Sequence, residues 1–149
     1  MEIITKTYGK LEINEKQQVN FPKGLLGFSE FTLYAIIDSS QPPFYHLQSL
    51  EDPELSFIIL SPDIFRPDYT LDIEPEELND LKWEENEELL VMAIVTIPRD
   101  GKPMTANLQG PLVINRSKRI GKQVIQTGTK WLTRHNIIEE MAAMGENPC

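Results

Sequence analysis

Apolar and β-branched residues along this chain come in short runs, each closed by turn residues, a pattern of strands rather than of long helices. Glu2–Thr7 is rich in strand formers and ends at Tyr8-Gly9; Lys10–Ile13 and Gln18–Phe21 follow, the latter stopped by Pro22. Phe31–Ile37 reads as a buried strand that ends at Asp38-Ser39-Ser40. Phe44–Leu50 and Leu55–Leu60 flank Glu51-Asp52-Pro53-Glu54, a hairpin loop whose proline suits a type I turn. The longest apolar run lies in Glu88–Ile97 and is bounded by Pro98, which favours a central strand. Asp100-Gly101 is a tight turn that pairs this run with Met104–Leu108. Leu112–Asn115, a basic link over Arg116–Lys122, and strands near Gln123–Gln126 and Lys130–Arg134 complete the β pattern.

Helical signals are brief. Ser61 caps a turn with Pro62 at its first position. Pro75–Leu81 is a short helix whose Glu74, Glu76 and Glu77 complement the positive end of the helix dipole. Asn136–Met144 is a second, with Asn136 as its cap, and Gly145–Cys149 is expected to fray. The pattern predicts a mainly β fold, an antiparallel β-barrel-like single domain with one or two short helices. Residues 1–135 form the barrel domain, and 136–149 form a C-terminal tail that holds a short helix.

A chain of 149 residues is long enough to bury roughly 68–70% of its unfolded surface, so it needs no staples. The lone cysteine, Cys149, excludes an internal disulfide. No apolar run approaches the ~18 residues of a membrane span, and Met1–Lys6 lacks the basic-then-apolar pattern of a secretion signal. The expected location is the cytoplasm, without a membrane partner. With no surplus apolar segment in need of cover, the free protein is expected to be a monomer.

Charge changes the picture more than composition does. The net charge is −9, and it is uneven. Residues 1–98 carry 6 basic against 19 acidic side chains, whereas residues 99–149 carry 8 against 4. Nine carboxylates crowd between Asp72 and Glu88, with Lys82 the one cation among them. Such a field repels nucleic acid and attracts basic proteins; it is also what a solubilising face looks like.

Catalytic patterns are missing from the sequence. His46 and His135 lie far apart, and no His/Cys/Asp cluster has the spacing of a zinc site, so neither metal nor cofactor is expected. There is no Gly-x-Ser-x-Gly elbow, and Cys149 sits at a terminus. Gly24-Leu25-Leu26-Gly27 lacks the Gly-Lys-Ser/Thr ending of a phosphate loop and reads as a turn pinned by Phe21, Leu25 and Phe28. Arg116, Lys118, Arg119 and Lys122 form a small basic patch without an aromatic residue to stack bases, so no direct nucleic-acid partner is expected. Within the acidic stretch, Trp83 among Glu76, Glu77, Glu84 and Glu85 has the makings of a docking face. The alternative is that Trp83 packs against the barrel. Gln48, Asn107 and Gln109 mix amides with apolar neighbours; they either meet a partner's backbone or satisfy their own turns.

Three blocks carry a family likeness: Phe21-Pro22-Lys23-Gly24-Leu25-Leu26-Gly27-Phe28; Pro43-Phe44 with Leu47-Gln48-Ser49; and Thr105-Ala106-Asn107-Leu108-Gln109-Gly110-Pro111-Leu112-Val113-Ile114-Asn115, followed by Gly121-Lys122-Gln123. In this order they resemble the FliW family of flagellar assembly factors over roughly residues 2–135. Gly110 departs from the alanine often found before the proline, and the tail after Asn136 has no counterpart. The resemblance implies a cytoplasmic, non-enzymatic β-barrel regulator that binds flagellin. It further implies that the regulator alternatively binds and antagonises CsrA, the RNA-binding repressor of flagellin mRNA translation. A reading from another class is a small β-barrel ligand-binding protein or flavin-type enzyme, which requires an open pocket and a phosphate cradle.

Overall fold

A computed structural model describes residues 1–145. Their strands are β1 (Glu2–Thr5), β2 (Gly9–Glu12), β3 (Gln18–Asn20), β4 (Leu33–Asp38), β5 (Tyr45–Ser49), β6 (Ser56–Leu60), β7 (Leu89–Thr96), β8 (Thr105–Asn115), β9 (Ile120–Gln123) and β10 (His135–Asn136). The helices are α1 (Pro75–Asp80) and α2 (Ile137–Gly145), with 3₁₀ turns at Glu15–Gln17 and Pro62–Ile64. Strands β8-β7-β6-β5-β4-β3-β9 are hydrogen-bonded in that order, and β9 returns to β8, which closes a seven-stranded barrel. Every neighbouring pair in the ring is antiparallel except β3 and β9, which run parallel at Asn20 and Ile120. The mainly-β barrel expected from the sequence is what forms.

Several strands read as continuous apolar runs because both of their faces are buried. Val19, Tyr34, Leu47, Ile59, Met92, Leu112 and Ile114 point inward. The outward residues are covered in three places. The β1–β2 ribbon lays Ile3 and Ile13 on Ala35 and Ile37 of β4. Phe65, Trp131 and Ile137 cover Leu60, Ala93, Val95, Ala106 and Leu108. The segment around α1 sets Leu81 on Val113 and Val124. A strand buried on both sides loses the inside-outside alternation of an exposed sheet, which explains the unbroken run of β7.

Four sequence expectations are corrected. Met104–Leu108 and Leu112–Asn115 are one strand, β8, with an excursion: Met92 pairs with Leu112 and Ile94 with Asn107, so four residues of β8 face one of β7. The β7–β8 connection is not a two-residue turn but spans 97–104. Pro98 and Pro103 lack the N–H that a ladder reaching Asp100-Gly101 requires. The strand near Gln123–Gln126 lies earlier, at Ile120–Gln123, and Lys130–Arg134 is not a strand. There the backbone serves the β8 excursion: Leu108 N and Gln109 N both donate to the Leu132 carbonyl. The expected C-terminal helix is α2; Asn136 Oδ1 accepts from Glu139 N at 3.0 Å, and Ile137 lies inside the outer apolar layer. Of the segment expected to fray, Gly145–Cys149, Gly145 closes α2, and 146–149 fall outside the described residues.

Candidate functional site

The acidic stretch is built as a braced loop. Helix α1 ends with Lys82 N donating to the Asn79 carbonyl and Trp83 N to the Leu78 carbonyl, the paired bonds of a Schellman cap. Lys82 takes the left-handed conformation at φ 52° that such a cap needs. Leu81 is fully buried and anchors the helix to the barrel, while Trp83, one residue past the cap, emerges 36% exposed. Its indole Nε1 donates to the Glu87 carbonyl at 2.9 Å, which fixes the ring against its own loop. Trp83 thus packs on the loop and presents a free face, a position between the two alternatives.

Glu87 holds the loop in place. Its Oε1 accepts from Glu84 N at 2.7 Å, Lys118 Nζ at 3.0 Å and Asn115 Nδ2 at 3.2 Å. The Lys118 ammonium and the Glu84 N–H hold its carboxyl below the usual carboxylate range. Asn115, wholly buried at the end of β8, also donates to the Leu81 carbonyl at 3.0 Å and accepts from Ser117 N.

The basic link over Arg116–Lys122 lies against the acidic stretch. Lys118 pairs with Glu84 and Glu87, Lys122 and Lys23 both grip Asp80, and Arg116 reaches Glu88 at 3.5 Å. The two ammonium groups draw the Asp80 carboxyl down to about 2. Four of the nine carboxylates are thereby neutralised within the molecule. Asp72, Glu74, Glu76, Glu77 and Glu85 form no ion pair among the described residues. Glu77 Oε2 accepts from Glu74 N at the start of α1.

The amide candidates divide. Gln48 is 1% exposed; its Oε1 accepts from Lys6 N, and its Nε2 donates to the carbonyls of Ser49, Pro53 and Leu55. It ties the β1–β2 ribbon to the β5–β6 loop and offers no free surface. Asn107 Oδ1 accepts from Gln109 N and Gly110 N at 3.0 and 2.8 Å, capping the β8 excursion. Gln109 is half-buried, with its carbonyl accepting from Gln126 N.

The barrel is open at both ends, which sequence reasoning missed. Where β7 begins and β8 ends, a dish of about 570 Å³ is floored by Met92 and Ile114 and edged by Lys16, Arg116 and Arg119. At the opposite end a groove of about 800 Å³ runs over Leu26, Phe57 and Ile94, with Asn107, Gln123 and Thr105 alongside. Both are assembled largely from inward positions of strands distant in sequence, and of their lining the sequence offers only Asn107 as a contact candidate.

Among the described residues, no three His, Cys, Asp or Glu side chains are placed to share a metal ion. The histidines work locally. His46 Nε2 sits 3.2 Å from the Tyr8 hydroxyl, and burial lowers its pKa. His135 Nε2 accepts from Leu132 N, while its Nδ1 faces the Glu140 carboxylate at 3.0 Å. Among the described residues, no helix is long and apolar enough to cross a membrane.

Comparison with known proteins agrees with this architecture. The family model described as FliW protein matches residues 2–137. The chain is 47% identical to the flagellar assembly factor FliW of Treponema denticola, covering 99% of this chain and all of that protein. It is 47% identical to that of Treponema pallidum, covering 95% of each. A crystal structure of the flagellar assembly factor FliW superposes with a TM-score of 0.85 at 36% identity, covering 92% of this chain and 96% of that one.

Proposed function

The chain belongs to the FliW family of flagellar assembly factors, and we propose that it serves flagellar assembly by binding two proteins in turn, flagellin and the translational repressor CsrA. It works in the cytoplasm, as a monomer when free, and without catalysis. The observation that carries this reading is the Trp83 loop: an aromatic side chain 36% exposed, tied to its own loop through the Glu87 carbonyl, within a stretch where five of nine carboxylates form no ion pair among the described residues. A rigid aromatic anchor within a charged rim is how protein interfaces concentrate binding energy. The negative rim suits a basic, RNA-binding protein and speeds its encounter.

Bound there, the loop sets negative potential beside the RNA path. Two like unit charges ~4 Å apart repel by about 1 kcal/mol in bulk water and by roughly 4 near a protein surface. Several carboxylates acting together disfavour RNA without occupying its site. Linkage makes the effect reciprocal: RNA on CsrA weakens binding of this protein by the same factor. For flagellin we favour the groove over Leu26, Phe57 and Ile94, where an amphipathic helix finds an apolar floor with amides beside it. As free flagellin falls, the protein is released to antagonise CsrA, and translation resumes.

Co-purification from source cells, followed by competition between the two partners, tests this reading. Both proteins are expected to bind, each lowering the yield of the other. Trp83→Ala should weaken CsrA binding by at least tenfold while leaving the fold intact. Failure to bind either partner would overturn the proposal.

A further inference from the structure

The basic link is only half accounted for by the acidic loop. Lys118 and Lys122 turn toward carboxylates. Arg119 turns the other way, onto the rim of the barrel mouth, where Lys16 and Arg116 join it. Arg119 is held there by donating from Nη1 to the Glu15 carbonyl. Arg116 makes only a loose, exposed contact with Glu88 at 3.5 Å. Lys16 has no carboxylate partner among the described residues. A protein of net charge −9 therefore carries a local cationic edge, opposed among the lining residues by Asp38 alone.

Beneath that edge the dish is aliphatic. Val19, Ile36, Leu90, Met92 and Ile114 line it, all on strands of the closed ring, with Tyr45 and Ser61 at the border. Its volume of about 570 Å³ is that of a small-molecule site. The lining itself argues for the kind of occupant: an aliphatic floor under a cationic edge suits an alkyl chain that carries an anionic head.

We propose that this mouth binds an amphiphilic monoanion, a free alkyl carboxylate whose chain lies on Ile36, Leu90 and Met92 and whose head group sits between Arg116 and Arg119. The head group takes the place of the Glu88 carboxylate at Arg116, so the ligand meets the same end of the barrel as the Trp83 loop without touching Trp83. The inference stands independently of flagellin or CsrA binding.

The test is titration of the full chain with decanoate below its micelle concentration, followed by calorimetry and by methyl resonances. Saturable binding is expected, with shifts centred on Ile36, Leu90, Met92 and Ile114. Decanol and decylamine should bind at least tenfold more weakly. Arg116→Ala/Arg119→Ala should lose at least tenfold in decanoate affinity with its thermal midpoint unchanged, and Leu90→Asp should lose binding as a second, independent probe. Four results would each overturn the proposal: no saturable binding, equal binding of the three amphiphiles, full affinity in the arginine variant, or a peptide with an apolar carboxyl terminus binding at this mouth in place of decanoate.

Discussion

Gly121 shows how closely single residues are fitted. A Cβ built there would collide with the edge of the Phe21 ring, at Cε1 and Cζ, which the Phe21–Phe28 block drives into the barrel. Gly121→Ala must displace Phe21, and overpacking of this kind should cost about 1–3 kcal/mol, read as a lower denaturant midpoint with an unchanged slope. Gly24 is constrained more severely, since it combines φ +65° with a Cβ position 2.5 Å from the Ser29 backbone. Tyr34 is fully buried, stacks edge-on with Phe21, and its hydroxyl has no hydrogen-bond partner. Burial pushes its pKa up to about 12 from an ordinary 10. A raised folded-state pKa on a group that becomes charged means stability is complete below pH 10 and is lost as pH rises toward 12. Tyr34→Phe should therefore be neutral or stabilising at pH 7 and should flatten part of the fall in thermal midpoint between pH 10 and 12. The fall that remains includes Tyr69, which burial also lifts to about 12.

At the scale of elements, the end of α1 positions the proposed contact. Lys82 occupies the left-handed position of the Schellman cap, where a side chain is strained and glycine is not. Lys82→Gly should raise stability by ~0.5–1 kcal/mol and leave Trp83 in place, because the Lys82 carbonyl that accepts from Lys118 Nζ is backbone. Thermal melts together with the indole fluorescence maximum would check both halves. The elements also show what a sequence can carry. The run of β7 was legible because a strand buried on both faces leaves an unbroken apolar signature. The Phe21–Phe28 turn was legible because its glycines and aromatics have local tasks. Lys130–Arg134 was misread as a strand because Trp131 and Leu132 have strand-like chemistry, yet Trp131 fills the outer layer and the Leu132 backbone bonds the β8 excursion. Gln48 looked like a contact residue because nothing local reveals that Lys6 lies against it.

For the molecule as a whole, charge was legible in amount but not in arrangement. The acidic stretch and the basic link are separated by two strands in sequence, β7 and β8, and their antiparallel pairing, Leu89 opposite Asn115, brings Lys118 to Glu87. That folding converts nine carboxylates into a neutralised base under the loop and a free set around it. It also separates three surfaces: the Trp83 loop, the cationic mouth beside it and the groove at the opposite end. Exposed pairs such as Lys23 with Asp80 add little stability, and salt screens them over roughly 10 Å at 0.1 M. The same screening should slow association of a basic partner as ionic strength rises, whereas the apolar contact of Trp83 should persist.

The most direct test of the central claim reverses four of the five free carboxylates and spares the paired ones and Glu77, which accepts from Glu74 N, in the variant D72K/E74K/E76K/E85K. Release of labelled RNA from its complex with CsrA is measured at low salt as this protein is added. Native protein should displace the RNA, and the variant should associate at least tenfold more slowly and leave the RNA bound. Displacement by the variant at the native rate and extent would contradict the account.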